Sequence, residues 1–181
     1  MQISLLLEDL RERTKSAIDN VIEWQQYSDE VLNELPVEGG WSAFQCIEHL
    51  NLYSEHYIPA IKSCTIKSAS QSGLDYTPGW LWGRFAKTML MDSAQLKIKT
   101  FRDKEPSSAI LDKRVFDTFL HYQNGLLEVL ENGDVLDLNR RHIPLSLSPL
   151  FKMKLGDGLC LQVYHNQRHI NQAQRVLKNL R

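Results

Sequence analysis

Apolar residues recur every three or four positions over most of the chain, the period of one face of an α-helix. From Leu7 to Leu35 the series Leu7, Leu10, Thr14, Ala17, Val21, Trp24, Ser28, Val31 and Leu35 keeps that period. It predicts one long helix, stopped by Pro36 and the pair Gly39-Gly40. A second helix opens in "WSAFQCIEHL", where Ser42 is a natural N-cap and Gln45, three residues on, completes a capping box. Ala43, Ile47, Leu50 and Ile61 share one side of it, with Cys46, Tyr53 and Tyr57 beside them. Pro59 lacks a backbone donor and is expected to kink or shorten its last turns. The link to the first helix is short, which predicts that these two helices are antiparallel neighbours.

The third pattern runs from about Ser107, just after Pro106, to a stop at Asn132-Gly133. Its buried stripe is Leu111, Val115, Phe119, Tyr122, Leu126 and Val129. The fourth opens near Asp157, an N-cap after Gly156, and buries Leu159, Val163, Ile170, Ala173, Leu177 and Leu180. Two long connections separate these patterns. In "GLDYTPGWLWGRFAKTML" the span Leu81 to Leu90 reads as a short extra helix, while "DVLDLNRRHIPLSLSPLFKMKLGDG" is turn-rich. Long connections allow parallel neighbours, so a bundle with crossovers is expected rather than a simple up-and-down one. There is no internal repeat and no domain boundary. The expectation is one all-α domain over residues 1–181, a four-helix bundle with long crossover connections.

The bulk composition fits that picture: 43% hydrophobic and 24% charged residues are the balance of a soluble globular protein. A formal net charge of -1 gives no electrostatic footprint for nucleic acid or an anionic membrane, and neither partner is expected. The three cysteines, Cys46, Cys64 and Cys160, form no CxxC pair and sit at apolar-leaning helical positions. No disulfide is expected among them, and a reducing cytoplasm fits best. The opening "MQISLLLEDLRERTK" has too short an apolar run for a signal peptide or a membrane span.

Histidine placement changes the picture from structure to chemistry. In "VYHNQRHINQAQRVL", His165 and His169 lie four residues apart, one above the other on a helix, where two imidazoles can meet one ion. The same spacing suits a half-exposed pair with no ligand, because HxxxH is short and common. His49 adds a third imidazole from the second helix, on the side a bundle buries. Three histidines from two helices make the ligand set of an open, catalytic-type site, with water or substrate completing the shell. His56 is a pocket residue at most, two turns from His49. His121 belongs to the polar stripe Asp117, His121, Asn124, Glu128, and His142 falls in a connection.

These stretches together resemble the DinB-like (DinB/YfiT) superfamily, most closely its DinB_2-type branch. That family opens its second helix with Trp-Ser followed about seven residues on by a histidine, here Trp41, Ser42 and His49. Its last helix carries H-x-x-x-H and then a glutamine, here His165, His169 and Gln172, preceded by Pro149, Leu150-Phe151 and Gly156. Where family members often have His-Pro before the last helix, this chain has Ser148-Pro149. The resemblance implies an up-down-down-up bundle holding a metal on His49, His165 and His169. It also implies kinship with thiol-dependent transferases and isomerases that use a low-molecular-weight thiol as cosubstrate.

Three neutral imidazoles leave a divalent ion its charge and open positions. Such an ion stabilises a thiolate at neutral pH, or lowers the pKa of bound water to about 7. Zn or Ni is expected, with Fe or Mn as further candidates. Gln45, Tyr53 and Asn166 are the residues expected to orient the imidazoles or line the pocket, and Cys46 is read as a buried thiol. The preferred function is a metal-dependent S-transferase acting on a small molecule. A metal-dependent hydrolase and a non-catalytic ligand- or partner-binding bundle are the alternatives. An exposed seam on the first helix also leaves room for a homodimer.

Overall fold

Leu6, Leu7, Leu10, Thr14, Ala17, Val21 and Trp24 are buried along one face of the first helix, α1 (Ile3–Trp24). The computed structural model describes residues 1–65, 74–91, 100–132, 136–146 and 148–179 of the chain. The helix expected to reach Leu35 is two helices. After Trp24 the amides of Gln25, Gln26 and Tyr27 bond three residues back, tightening the turn, and Ser28 then caps α2 (Asp29–Asn33). The break shifts the phase: Leu32 is fully buried, whereas Leu35 is 58% exposed.

The capping box at the start of α3 (Ala43–Thr65) forms as the sequence predicts. Gln45 N donates to Ser42 Oγ at 3.2 Å, and Ser42 N donates to Gln45 Oε1 at 3.1 Å. Pro59 sits on the exposed face, and the helix continues through it to Thr65. The short extra helix is α4 (Trp82–Thr88). A 3₁₀ turn follows at Arg102–Lys104, and then α5 (Arg114–Glu131), which starts at Arg114 rather than near Ser107. The Asn33 side chain holds Leu111 by both backbone groups, at 2.8 Å and 3.0 Å, and keeps this stretch out of the helix. Asn132 is the C-cap of α5, while Gly133 lies outside the described residues.

The all-α expectation misses a hairpin. β1 (His142–Leu145) pairs antiparallel with β2 (Ser148–Lys154), His142 opposite Lys154, with an irregularity between Pro144 and Leu145. The chain passes directly from β2 into α6 (Leu155–Asn179). Asp157 is therefore not an N-cap. It is buried in the first turn, where its carboxylate accepts from the Tyr76 hydroxyl and from Gly79 N at 3.0 Å. Leu180 lies outside the described residues.

The fold is thus mostly helical, with six α-helices and one two-stranded sheet among the described residues. α1 and α3 each pack against both α5 and α6, with little contact between α1 and α3 themselves. They are not the side-by-side pair expected, because α2 and the Pro36–Gly40 loop occupy the connection and α2 packs on α3. α4 covers α6 from outside. The core divides into two apolar clusters, one around Leu7, Ile61, Leu126 and Leu159, the other around Val21, Phe44, Phe116 and Ile170. Polar side chains also lie buried: Ser54, Gln123, Gln162 and Asn166. Cys46 and Cys160 are free thiols, and Cys64 Sγ donates to His142 O at 3.8 Å. No helix among the described residues is long and apolar enough to cross a membrane.

Candidate metal centre

The capping box fixes where α3 begins and hence which way its second turn faces. His49 is placed inward, 2% exposed, against the middle of α6. There His165 and His169 present their rings one above the other, with centroids 4.7 Å apart. The His49 ring lies 5.0 Å from that of His165 and 4.6 Å from that of His169, and one nitrogen from each residue falls within 4.8 Å of the others. The structure thus brings together the three histidines singled out in the sequence.

Hydrogen bonds set the tautomers. A backbone carbonyl can only accept, so His49 Nδ1–H donates to Lys104 O at 2.7 Å, and the Nε2 lone pair points into the site. His169 Nδ1–H donates to Gln172 Oε1 at 3.0 Å, which turns its Nε2 the same way. His49 Nε2 stands 3.2 Å from His165 Nε2. With the first nitrogen an acceptor, that approach requires a proton or a cation between the two. Burial holds His49 down to about 4, an effect that the Lys104 charge increases. Burial likewise holds His165 and His169 well below the usual histidine range, with Arg168 adding to it. At neutral pH all three are uncharged and offer lone pairs without first losing a proton. The donor set fits a divalent ion with open positions.

The indole of Trp41 packs against His49 and His169, at 4.6 Å and 5.6 Å between centroids. Tyr53 meets His49 and His165 edge-on. Burial pushes its hydroxyl up to about 12, so it is a neutral donor in this wall. The histidines lie in a cleft of about 1320 Å³, walled by Trp41, Tyr57, Trp82, Phe85 and Val176 among others.

A family model described as DinB superfamily matches residues 6–173. The chain belongs to the DinB superfamily. No curated protein and no solved structure matches it.

In this DinB-superfamily chain the two amides expected to orient the imidazoles bond elsewhere. Gln45 is occupied by the capping box and by Ser107 O, at 3.1 Å. Asn166 points into the core, donating to Gln123 Oε1 at 2.7 Å and accepting from Gln162. The His49 and His169 imidazoles are held instead by Lys104 O and Gln172. The first is a main-chain atom at the end of the 3₁₀ turn and carries no sequence signature. Gln172 was legible as part of the H-x-x-x-H pattern, three residues after His169. His56 Nε2–H donates to Pro144 O at 3.2 Å, and His121 and His142 are exposed. None of these three joins the site. Cys46 is fully buried, and burial raises its thiol far above the range of a reactive one.

Proposed function

We propose that His49, His165 and His169 bind one divalent metal ion through Nε2, and that the chain is a metal-dependent enzyme of the thiol S-transferase type. What supports this most is the pair of imidazoles whose Nδ1 protons are already committed, to Lys104 O and Gln172, so that both Nε2 lone pairs face the third histidine at the floor of an open cleft. A divalent ion held by three neutral imidazoles supplies a Lewis acid that lowers the pKa of a thiol or water beside it. The protein's own part is positional. Lys104 O and Gln172 fix ring orientation, Trp41 and Tyr53 shield the floor from solvent, and the apolar walls take up the body of a small-molecule substrate. Transfer is preferred over hydrolysis on the family resemblance, and the cleft of about 1320 Å³ leaves room for a thiol beside a second small molecule. The proposal includes one domain, its long helices in the up-down-down-up order implied by the family.

Elemental analysis of protein purified without a histidine tag is expected to find about one ion per chain, removed by chelation and restored by Zn or Ni. The chelated protein should lose, and the refilled protein regain, thiol consumption with an electrophilic small molecule. A chain that takes up no ion after refilling would remove the metal. Metal-dependent ester or amide cleavage without thiol consumption would make it a hydrolase.

A further inference from the structure

Tyr57, Tyr76 and Tyr164 each commit their hydroxyls inside the fold: Tyr57 to Ser146 Oγ at 3.2 Å, Tyr76 to the Asp157 carboxylate, and Tyr164 to Asp9 at 3.4 Å. A phenol packed into a fold ordinarily finds such a partner. Tyr53 is the contrast. It lines the metal cleft, its hydroxyl makes no hydrogen bond among the described residues, and that oxygen is not one of the unpaired atoms sealed in the interior. Its ring is nonetheless fixed. It meets His49 and His165 edge-on at 5.1 Å and 4.8 Å between centroids, and stacks parallel to Tyr57 at 6.3 Å. The Lys104 ammonium stands over it, 5.8 Å from the ring centre, and is pinned there by donating to Leu52 O at 2.9 Å. Lys104 thus braces Tyr53 with its side chain and His49 with its carbonyl. Tyr53 follows His49 by four residues on α3, one turn, and helical side chains lean toward the N-terminus, so the phenol lies back over His49. The result is a hydroxyl that is held in place but not spent.

We propose that the Tyr53 hydroxyl donates a hydrogen bond to the anionic ligand that takes the open position beside His49, His165 and His169, a thiolate sulfur in the transferase reading. The inference deepens the metal-site reading and rests on it. Three histidines leave room for such a ligand, and an anion there offers only lone pairs, so the hydroxyl is the donor. The Lys104 ammonium over the ring favours the same sign of charge. Because the ring is braced before any ligand arrives, the bond forms without ordering a side chain, which is where its selectivity comes from. Tyr53 therefore selects a ligand whose coordinating atom keeps a spare lone pair, a thiolate above all, over a neutral nitrogen base that has none left.

The test uses the full chain, chelated and refilled with Co(II), whose visible spectrum reads the ligands around the ion. Ethanethiol is one probe, because it has no polar atom besides sulfur. Imidazole is the other, because the nitrogen it places on an ion keeps no lone pair for a second bond. Tyr53→Phe removes only the hydroxyl and strands no partner, and a melt confirms that the variant is folded. Y53F is expected to take up the same amount of Co(II), to bind ethanethiol about 10-fold more weakly and to bind imidazole within about 2-fold of the wild type. The sulfur-to-cobalt absorption band should also move to longer wavelength, since a hydrogen bond lowers the energy of the sulfur lone pairs. Unchanged ethanethiol affinity, or equal weakening of both probes, would overturn the proposal and leave the metal reading standing. Wild-type protein that takes up Co(II) but binds neither probe would do the same. Wild-type protein that takes up no Co(II) would remove the metal site and this proposal with it.

Discussion

Asn166 and Gln172 are carboxamides on one helix, close to the same histidines, and the structure gives them opposite work. Gln172 Oε1 accepts the hydrogen bond of His169 Nδ1–H, so its loss frees that ring to rotate and to change tautomer. Gln172→Leu should weaken metal binding by about 10–100-fold and hardly move the melting temperature, since Gln172 is only half-buried. Asn166 is 2% exposed, one residue and therefore about 100° of helix rotation away from His165, and it joins Gln162 and Gln123 in the core. Asn166→Ala leaves the Gln123 amide without its partner and should cost about 1–3 kcal/mol of stability, with metal affinity unchanged. Metal titration and denaturant unfolding of the two variants check both halves of the contrast. Equal effects on both readouts would mean that core network and metal site are not separable. Sequence spacing identified the three histidines because i,i+4 geometry and the family motif both point to them. It misassigned the amides because hydrogen-bond partners depend on rotation about the helix axis and on which loop arrives opposite.

Elements show the same division between local and non-local causes. The α3 start was legible because a capping box is a four-residue device, and Ser42→Ala is expected to cost about 1 kcal/mol by thermal or denaturant melt. Because the cap sets the position of His49 seven residues on, the same variant should also weaken metal binding. An unchanged melt together with unchanged metal affinity would show that the cap positions nothing. The break at Ser28 was masked by an apolar period that runs on through it, although Ser28 followed by Asp29 and Glu30 is itself a cap with an acidic first turn. The late start of α5 could not be read, since it depends on Asn33, 78 residues from Leu111, reaching over to occupy its backbone. In the hairpin the alternation of buried Ile143 and Leu145 was present, but Pro144 and Pro149 count against strands by rule. A two-stranded sheet consists only of edges, where proline is tolerated.

At the scale of the whole molecule, a second group of buried ionisable residues ties the start of α6 to the N-terminal part of the chain. Cys160 is 5% exposed and lies among Tyr76, Tyr164, Asp157 and Asp9, with Arg13 bonded to Asp9 at 2.9 Å and set over the Tyr164 ring. Burial pushes the Cys160 thiol up to about 12, and raises Tyr76, Tyr164 and the distant Cys46 as well. In the unfolded chain thiols ionise near about 8.5 and tyrosines near about 10. These are acids whose folded pKa lies above the unfolded one, so the folded state keeps protons that the unfolded state releases. Their stabilising contribution is complete below about pH 8.5 and falls as the pH rises toward the folded values, by up to about 1.4 kcal/mol per pH unit for each group so affected. Unfolding free energies at pH 7.5, 9 and 10 should therefore decline steadily. Cys160→Ala cannot ionise in either state and should decline less steeply, by the slope of one proton, even though it starts less stable because a side chain has been removed from a packed site. Equal slopes for the two proteins would show that the Cys160 thiol ionises as readily in the fold as out of it. The buried corner joining Tyr76, Asp157 and Cys160 would then be open to water, and the anchoring of α6, on which His165 and His169 ride, would rest on its packing against α1, α3 and α4.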